Sequence, residues 1–305
     1  MIVADFDQQQ LRKFLIDDGV YLTVAPFVIH LRSTIPAVAE SLSLLYRDYP
    51  LQLDAEFADF YIQLEPGKGL HRWFHPQAQF IFDGTRPFKP LPYDQAFAFF
   101  EWGVNWCIAN HAHQFLIMHA AVLELNGQAL ILPGRPGAGK STLAAALANN
   151  GWRLLSDELT MLSILEGNVV PVPRPVSLKN QSIEIIQQFC PQAVLGKAIE
   201  DTSKGTVAHM QAPKDALQKA NQPALPAWLV FPKYIAESEV KVEPMSKGDS
   251  FMQLADNSFN YHLQGEAGFS ALADLIDRCD CHQFSYSSLS EAISYFSQLA
   301  EKEVA

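Results

Sequence analysis

No run of about 18 apolar residues occurs in this chain, so the sequence offers no membrane-spanning helix. Cysteine is scarce. Cys107, Cys190, Cys279 and Cys281 are too few and too scattered for a disulfide framework. Cations are short as well: 22 Lys and Arg stand against 33 Asp and Glu, a formal net charge of −11. That balance leaves no broad basic surface, which argues against nucleic acid and against an anionic membrane as partners. The opening MIVADFDQQQ carries acids and no apolar secretory core. With few cysteines and no leader, a reducing cytoplasm is the expected location. There are no internal repeats and no low-complexity segment. Zinc ligation is not expected either. Cys279-Asp280-Cys281-His282 lacks the ligand spacing of a zinc site, and His111 and His113 on one helix point about 200° apart.

What is present is enough apolar surface for a sizeable core, 49% hydrophobic over 305 residues. One large domain, or a main domain with a smaller one attached, is the expectation. Residues 1–95 read as a small α+β unit. GVYLTVAPFVIHLRS reads as two strands around Pro26, PAVAESLSLLYRDY as a helix opened by Pro36, and ADFYIQLE and LHRWFHPQAQFIFDG as half-buried strands. Pro87, Pro90 and Pro92 mark a boundary or linker. Residues 96–305 then form the main domain. DQAFAFFEWGVNWCIANHAHQ reads as a helix whose aromatic residues are core packing. LIMHAAVLELNGQALILPG reads as two strands joined at Asn126-Gly127, a hairpin signal. STLAAALANNG is an alanine-rich helix closed near Gly151, WRLLSDELTMLSI a strand, and SLSEAISYFSQLAEKEV a final helix with Ser288 or Ser290 at its start.

The strand ALILPG runs directly into Gly134-Arg135-Pro136-Gly137-Ala138-Gly139-Lys140-Ser141-Thr142, and a helix follows. Strand, glycine loop, Lys-Ser, helix is the context of a phosphate-cradling loop. Gly134, Gly137 and Gly139 let backbone N–H groups turn inward around an anion. The helix start adds its positive end. Lys140 would reach the β- and γ-phosphates of a nucleotide and the Ser141 hydroxyl would ligate Mg²⁺. Arg135 would touch the nucleotide or point to water.

Such a loop needs an acid to complete the metal site. Asp157 and Glu158 end the apolar run of the next strand. Two adjacent carboxylates permit a division of labour, one holding Mg²⁺ and the other taking a proton from an attacking hydroxyl. On a continuous strand they would point to opposite faces, so a strand end or bulge is required. His119 sits ahead of the hairpin, and the hairpin would bring it back towards the loop.

Met118 to Leu162, MHAAVLELNGQALILPGRPGAGKSTLAAALANNGWRLLSDELTML, resembles the core of the bacterial HPr serine kinase/phosphorylase family. VPRPVSLKNQSIEII and SKGTVAHM narrow the resemblance to the group called HPr kinase-related proteins, type A. The resemblance implies an α/β P-loop kinase core of the type shared with phosphoenolpyruvate carboxykinases, its strands mixed or largely antiparallel. It implies a cytoplasmic enzyme that uses ATP and Mg²⁺ to phosphorylate a serine on a protein or peptide, and possible homo-oligomers. Carried over, His119 matches the active-site histidine, Asp157 the general base, Glu158 a metal-holding acid, and Lys140 and Ser141 the phosphate and metal contacts. The family's second acid is usually Asp, its Arg-Gly signature after that acid is missing, and residues 1–95 do not match its regulatory domain. Arg174, Lys179, Lys204 and His209 remain as cations for a phosphoryl group in transit. Two further functions stay open on the residues: an ATP-gated scaffold without transfer, and a small-molecule kinase.

Overall fold

The computed structural model describes residues 1–67 and 74–302. Buried and half-buried residues alternate along Val20–Val24 (β1) and Phe27–Ser33 (β2), the two-residue period of a strand with one face on a core. They pair antiparallel, turning tightly between Val24 and Phe27. Ahead of them, Gln8–Ile16 (α1) is capped by Asp7, whose carboxylate accepts from the Gln10 N–H at 2.8 Å. Pro36–Leu45 (α2) begins with the proline, where a missing N–H costs nothing. Leu51–Gln52 (β3), Phe60–Pro66 (β4), Gln77–Phe82 (β5) and Leu91–Pro92 (β6) complete a sheet of order β3-β1-β2-β4-β5-β6 among the described residues. Of the stretch expected as one strand over residues 70–84, only the part from Gln77 is seen as strand; residues 70–73 lie outside the described residues. The proline-rich stretch expected as a linker places β6 on the sheet edge, paired with β5.

Ala96–His111 (α3) lies against this sheet, and its Phe97, Phe99 and Phe100 join Tyr46, Tyr49 and Phe80 in one core. Gly103 faces the Phe80 ring so closely that a Cβ there would overlap it. The same core continues into Leu159, Met161 and Val172, so N-terminal side chains pack directly beneath the segment that follows the paired acids.

The region expected as two strands over 115–133 forms three: Phe115–Met118 (β7), Ala120–Leu125 (β8) and Gln128–Pro133 (β9). β8 and β9 make the hairpin, with Asn126 and Gly127 at positive φ as a two-residue turn demands. Lys140–Ala148 (α4) leads to Arg153–Ser156 (β10) and Thr160–Ser163 (β11), again two strands where one is expected. The rest of the chain supplies Val169–Val170 (β12), Val176–Lys179 (β13), Gln181–Phe189 (α5), Ile199–Thr202 (β14), Gly205–Met210 (β15), Lys214–Gln218 (α6), Leu225–Tyr234 (β16), Lys241–Pro244 (β17), Lys247–Asp256 (α7), Tyr261–Arg278 (α8), Asp280–Tyr286 (β18) and Leu289–Lys302 (α9). Ser288 starts α9, its hydroxyl accepting from the Glu291 N–H at 3.3 Å.

The main sheet has the order β10-β8-β9-β16-β18-β17. β16 runs parallel to β9 and β18, and the other pairs are antiparallel. The protein is therefore a mixed α/β structure. Successive residues of the hairpin go to opposite faces: Ala121, Leu123, Leu130 and Leu132 meet α4 and α9, while Ala120, Val122, Ala129 and Ile131 meet α7 and α8. Burial on both faces is why these strands read as unbroken apolar runs. Two smaller sheets flank the main one, β12-β11-β7 and β13-β15-β14. No described helix is long and apolar enough to cross a membrane.

Filling the gap at Gly103 tests the seating of α3. Gly103→Ala should destabilise the protein by about 2 kcal/mol through overpacking against Phe80, read from the denaturant midpoint. An unchanged midpoint would show that α3 is not tightly seated on β5.

Candidate functional site

The glycine loop connects β9 to α4. Gly134, Gly137 and Gly139 have φ of 151°, 85° and 91°. Gly139 is doubly constrained: a Cβ there would lie 2.6 Å from the Tyr286 hydroxyl, which donates to the Gly139 carbonyl at 3.1 Å. Arg135, Pro136 and Gly137 are exposed, and Ala138, Ser141 and Thr142 half-buried. The Lys140 ammonium is held by the loop itself, donating to the carbonyls of Gly134 and Arg135, the latter at 3.3 Å.

Two strand breaks bring the remaining groups to this loop. β7 belongs to the side sheet and β8 to the main sheet, and the chain crosses between them at His119. His119 is thus not inside a strand as expected. It occupies a bend, anchored by its N–H to the Asn257 carbonyl at 2.6 Å and packed against Phe259. Its neighbours fix its position: Ala120 pairs with Pro133 at the mouth of the loop, and Met118 pairs with Thr160 just beyond the acids. The second break lies between β10 and β11, which also belong to different sheets. Asp157 and Glu158 occupy it. The strand end that adjacent carboxylates require is therefore present.

The two acids differ sharply in surroundings. Asp157 is buried, its Oδ2 accepting from the Ser177 N–H at 2.9 Å while Oδ1 has no partner among the described residues. Burial pushes its carboxyl up to about 6, assisted by the neighbouring Glu158 charge and opposed by Lys179, the Ser177 N–H and the Ser141 hydroxyl. Ser141, on the first turn of α4, is near enough to lower the Asp157 carboxyl but makes no hydrogen bond with it. Burial would also raise the Glu158 carboxyl, but Lys179, Lys204, Arg174 and His119 outweigh it and hold the group below its ordinary value. Lys179 approaches Glu158 Oε1 at 3.5 Å and Asn105 donates to Oε2. His119 is lowered by partial burial and by Lys140, with Glu158 opposing.

The other predicted cations divide. Lys179 faces the acids, on β13. Lys204 is exposed, with its ammonium 5.3 Å from the centre of the Trp102 ring. Arg174 is not available as a phosphate contact in this arrangement: it is buried against Glu101 at 3.4 Å and also donates to Asn105. His209 is interior too. It pairs across the sheet with Ser177, stacks edge-on against Phe97 at 5.4 Å, and burial pushes it down to about 4. Asp157, Arg174, Ser177 and His209 line a narrow hollow of about 10 Å³ with Glu101, Trp102 and Asn105, room for about one water. Asp157 Oδ1, Arg174 Nε, Ser177 Oγ and His209 Nε2 are all buried without a partner. Such groups are costly unless water or a ligand satisfies them.

Glu101, Trp102 and Asn105 are the site residues that sequence reasoning missed, because α3 reads as core alone. A signal existed: Glu101 and Asn105 are polar residues one helical turn apart in an otherwise apolar helix.

The residues present fit a nucleotide's magnesium. The Ser141 hydroxyl and the carboxylates of Asp157 and Glu158, Asp157 with its Oδ1 unpartnered among the described residues, are the hard oxygen donors this ion takes. Neither a family model nor a curated protein matches the chain. Among solved structures it is similar to the HPr(Ser) kinase/phosphatase from Coxiella burnetii, at 13% identity and a TM-score of 0.27, over 61% of this chain and 98% of that one.

The burial of His209 has a measurable consequence. Its folded value of about 4 lies below the ordinary 6.5. Between those values the unfolded chain holds more protons, so stability rises with pH there and is lost as pH falls towards 4. An imidazole resonance of His209 titrating near 6.5 would contradict this burial, and His209→Phe should remove that part of the acid slope in denaturation curves.

Proposed function

We propose that the chain is an ATP- and Mg²⁺-dependent kinase that transfers the γ-phosphoryl group to a hydroxyl, that of a serine in a protein or peptide. The observation that carries this reading is Asp157: a buried carboxyl beside Ser141 at the head of the loop helix, with one oxygen unpartnered and its titration moved up to about 6. A pure binding module needs an acid for the metal but has no use for a carboxyl tuned towards neutrality beside a second acid.

Each residue then has a task. The loop N–H groups from Gly134 to Thr142 and the start of α4 bind the phosphates. Lys140 leaves the loop carbonyls for the β- and γ-phosphates. Ser141 and Glu158 would supply oxygens to Mg²⁺, which would contribute counter-charge, and Asp157 is kept for the proton. Asp157 Oδ1 takes the acceptor's proton as the acceptor oxygen bonds to phosphorus and the bond to the nucleoside diphosphate breaks. For transfer, the hollow bounded by Trp102, Ser177 and His209 has to widen from about 10 Å³ to bring the acceptor hydroxyl to that oxygen. His119 and Lys179, with Lys204 at the tip of the β14–β15 hairpin, lend positive potential near the transferring group.

Purified protein with Mg²⁺ and γ-labelled ATP should label a protein or peptide in its own cell lysate. Asp157→Asn should keep ATP binding by calorimetry and lose transfer on the order of 100-fold or more. Transfer at wild-type rate in that variant would remove the base. Lys140→Ala should lose nucleotide binding. Transfer should also rise with pH through about 6, as Asp157 ionises. ATP binding without labelling of any macromolecule, together with labelling of a small metabolite, would replace the protein acceptor.

A further inference from the structure

We infer that Asn105 is a positioning residue for Glu158, and that its amide is set by a hydrogen-bonded chain reaching back to Tyr46 in the N-terminal region. The inference rests on the proposed function for its consequence at the metal, though not for its geometry.

The links are continuous. The Tyr46 hydroxyl donates to Glu101 Oε1 at 2.7 Å. One Arg174 terminal nitrogen donates to Glu101 Oε2 at 3.4 Å and to the Glu101 carbonyl at 3.3 Å. The other donates to Asn105 Oδ1. Asn105 Nδ2 then donates to Glu158 Oε2, and Lys179 holds Glu158 Oε1 at 3.5 Å. Tyr46, Glu101 and Arg174 are buried, with Arg174 7% and Glu101 3% exposed.

The order of donors decides the argument. An amide can be turned end for end, and its orientation follows from its neighbours. Guanidinium has donors only. Arg174 therefore forces the oxygen of Asn105 towards itself and commits the NH₂ to Glu158. Glu158 meets donors on both oxygens, an environment that suits a carboxylate and disfavours a carboxylic acid. The longer arm of glutamate has more rotamers than an aspartate, and two donors on two oxygens confine it to one pose. Asn105 reaches no part of the phosphate loop in this chain of bonds. Its effect passes through Glu158.

The test uses two folded variants of the full chain. Asn105→Leu keeps the volume and removes the donor. Asn105→Asp keeps the acceptor for Arg174 and presents a carboxylate to Glu158. With ¹³C-carboxyl-labelled glutamate at one fixed pH and no nucleotide, the Glu158 carboxyl resonance, assigned by its loss in Glu158→Gln, should be single and sharp in the wild type and broaden or split in each variant as the side chain leaves its one pose. In calorimetry at fixed ATP, the Mg²⁺ concentration for half-maximal enhancement of binding should rise about tenfold. A residue that merely supports the helix would lower the melting temperature and move neither reading. An unchanged, single Glu158 resonance in the folded variants overturns the inference. If the resonance broadens but wild-type protein binds no Mg²⁺–ATP, the positioning of Glu158 stands and the proposed function falls.

Discussion

Two adjacent carboxylates, one buried and one half-buried, in a protein of net charge −11 are the constraint on which the rest depends. Removing charge from water is expensive, and each such group must be paired, hydrogen-bonded or protonated. The protein answers differently for its two acids. Glu158 is surrounded by cations from several elements and remains an anion. Asp157 is buried beside a like charge, and its single backbone donor does not offset that, so its ionisation is deferred towards neutrality. From one dipeptide, two environments produce two chemical characters. Under the proposed function, that separation is what would let one acid hold a cation and the other accept a proton.

The geometry that makes this possible is a pair of sheet crossings. β7 and β11 share a side sheet while β8 and β10 share the main one. The chain must leave one sheet for the other twice at nearly the same level, at His119 and at Asp157-Glu158. Regular strand pairing satisfies the backbone on either side of each crossing. At the crossing the ladder is interrupted, and side chains there are freed from strict alternation. Thr160 stitches the two crossings together, its hydroxyl donating to the Ala120 carbonyl at 3.1 Å.

Much of this geometry was legible in the sequence because it is written locally. The glycines, Lys140 and Ser141 stand within one short stretch between a strand and a helix, and the hairpin at Asn126-Gly127 announces itself by residues that tolerate positive φ. The paired acids were legible with their requirement for a strand end. The breaks themselves were not. FLIMHAAV and LLSDELTML are apolar on both sides of each crossing, because both flanking strands are buried, and hydropathy cannot say which sheet a strand joins. Arg174 and His209 read from the sequence as possible contacts for a phosphoryl group in transit. Their neighbours in the fold, Glu101, Asn105 and Phe97, lie far away in sequence, on a helix whose aromatic content conceals Glu101 and Asn105.

The tie between Tyr286 and Gly139 reaches into the order of synthesis. β9 carries the loop and pairs on one side with its hairpin neighbour β8, but its other partner is β16, and β16 in turn leans on β18, whose last residue is Tyr286. Parallel pairing of strands so distant in the chain has to wait until the cost of closing long loops has been met. A ribosome that has released the loop and α4 has therefore made the glycine motif without the wall that holds it in shape. The loop's geometry arrives with β18 rather than with the motif.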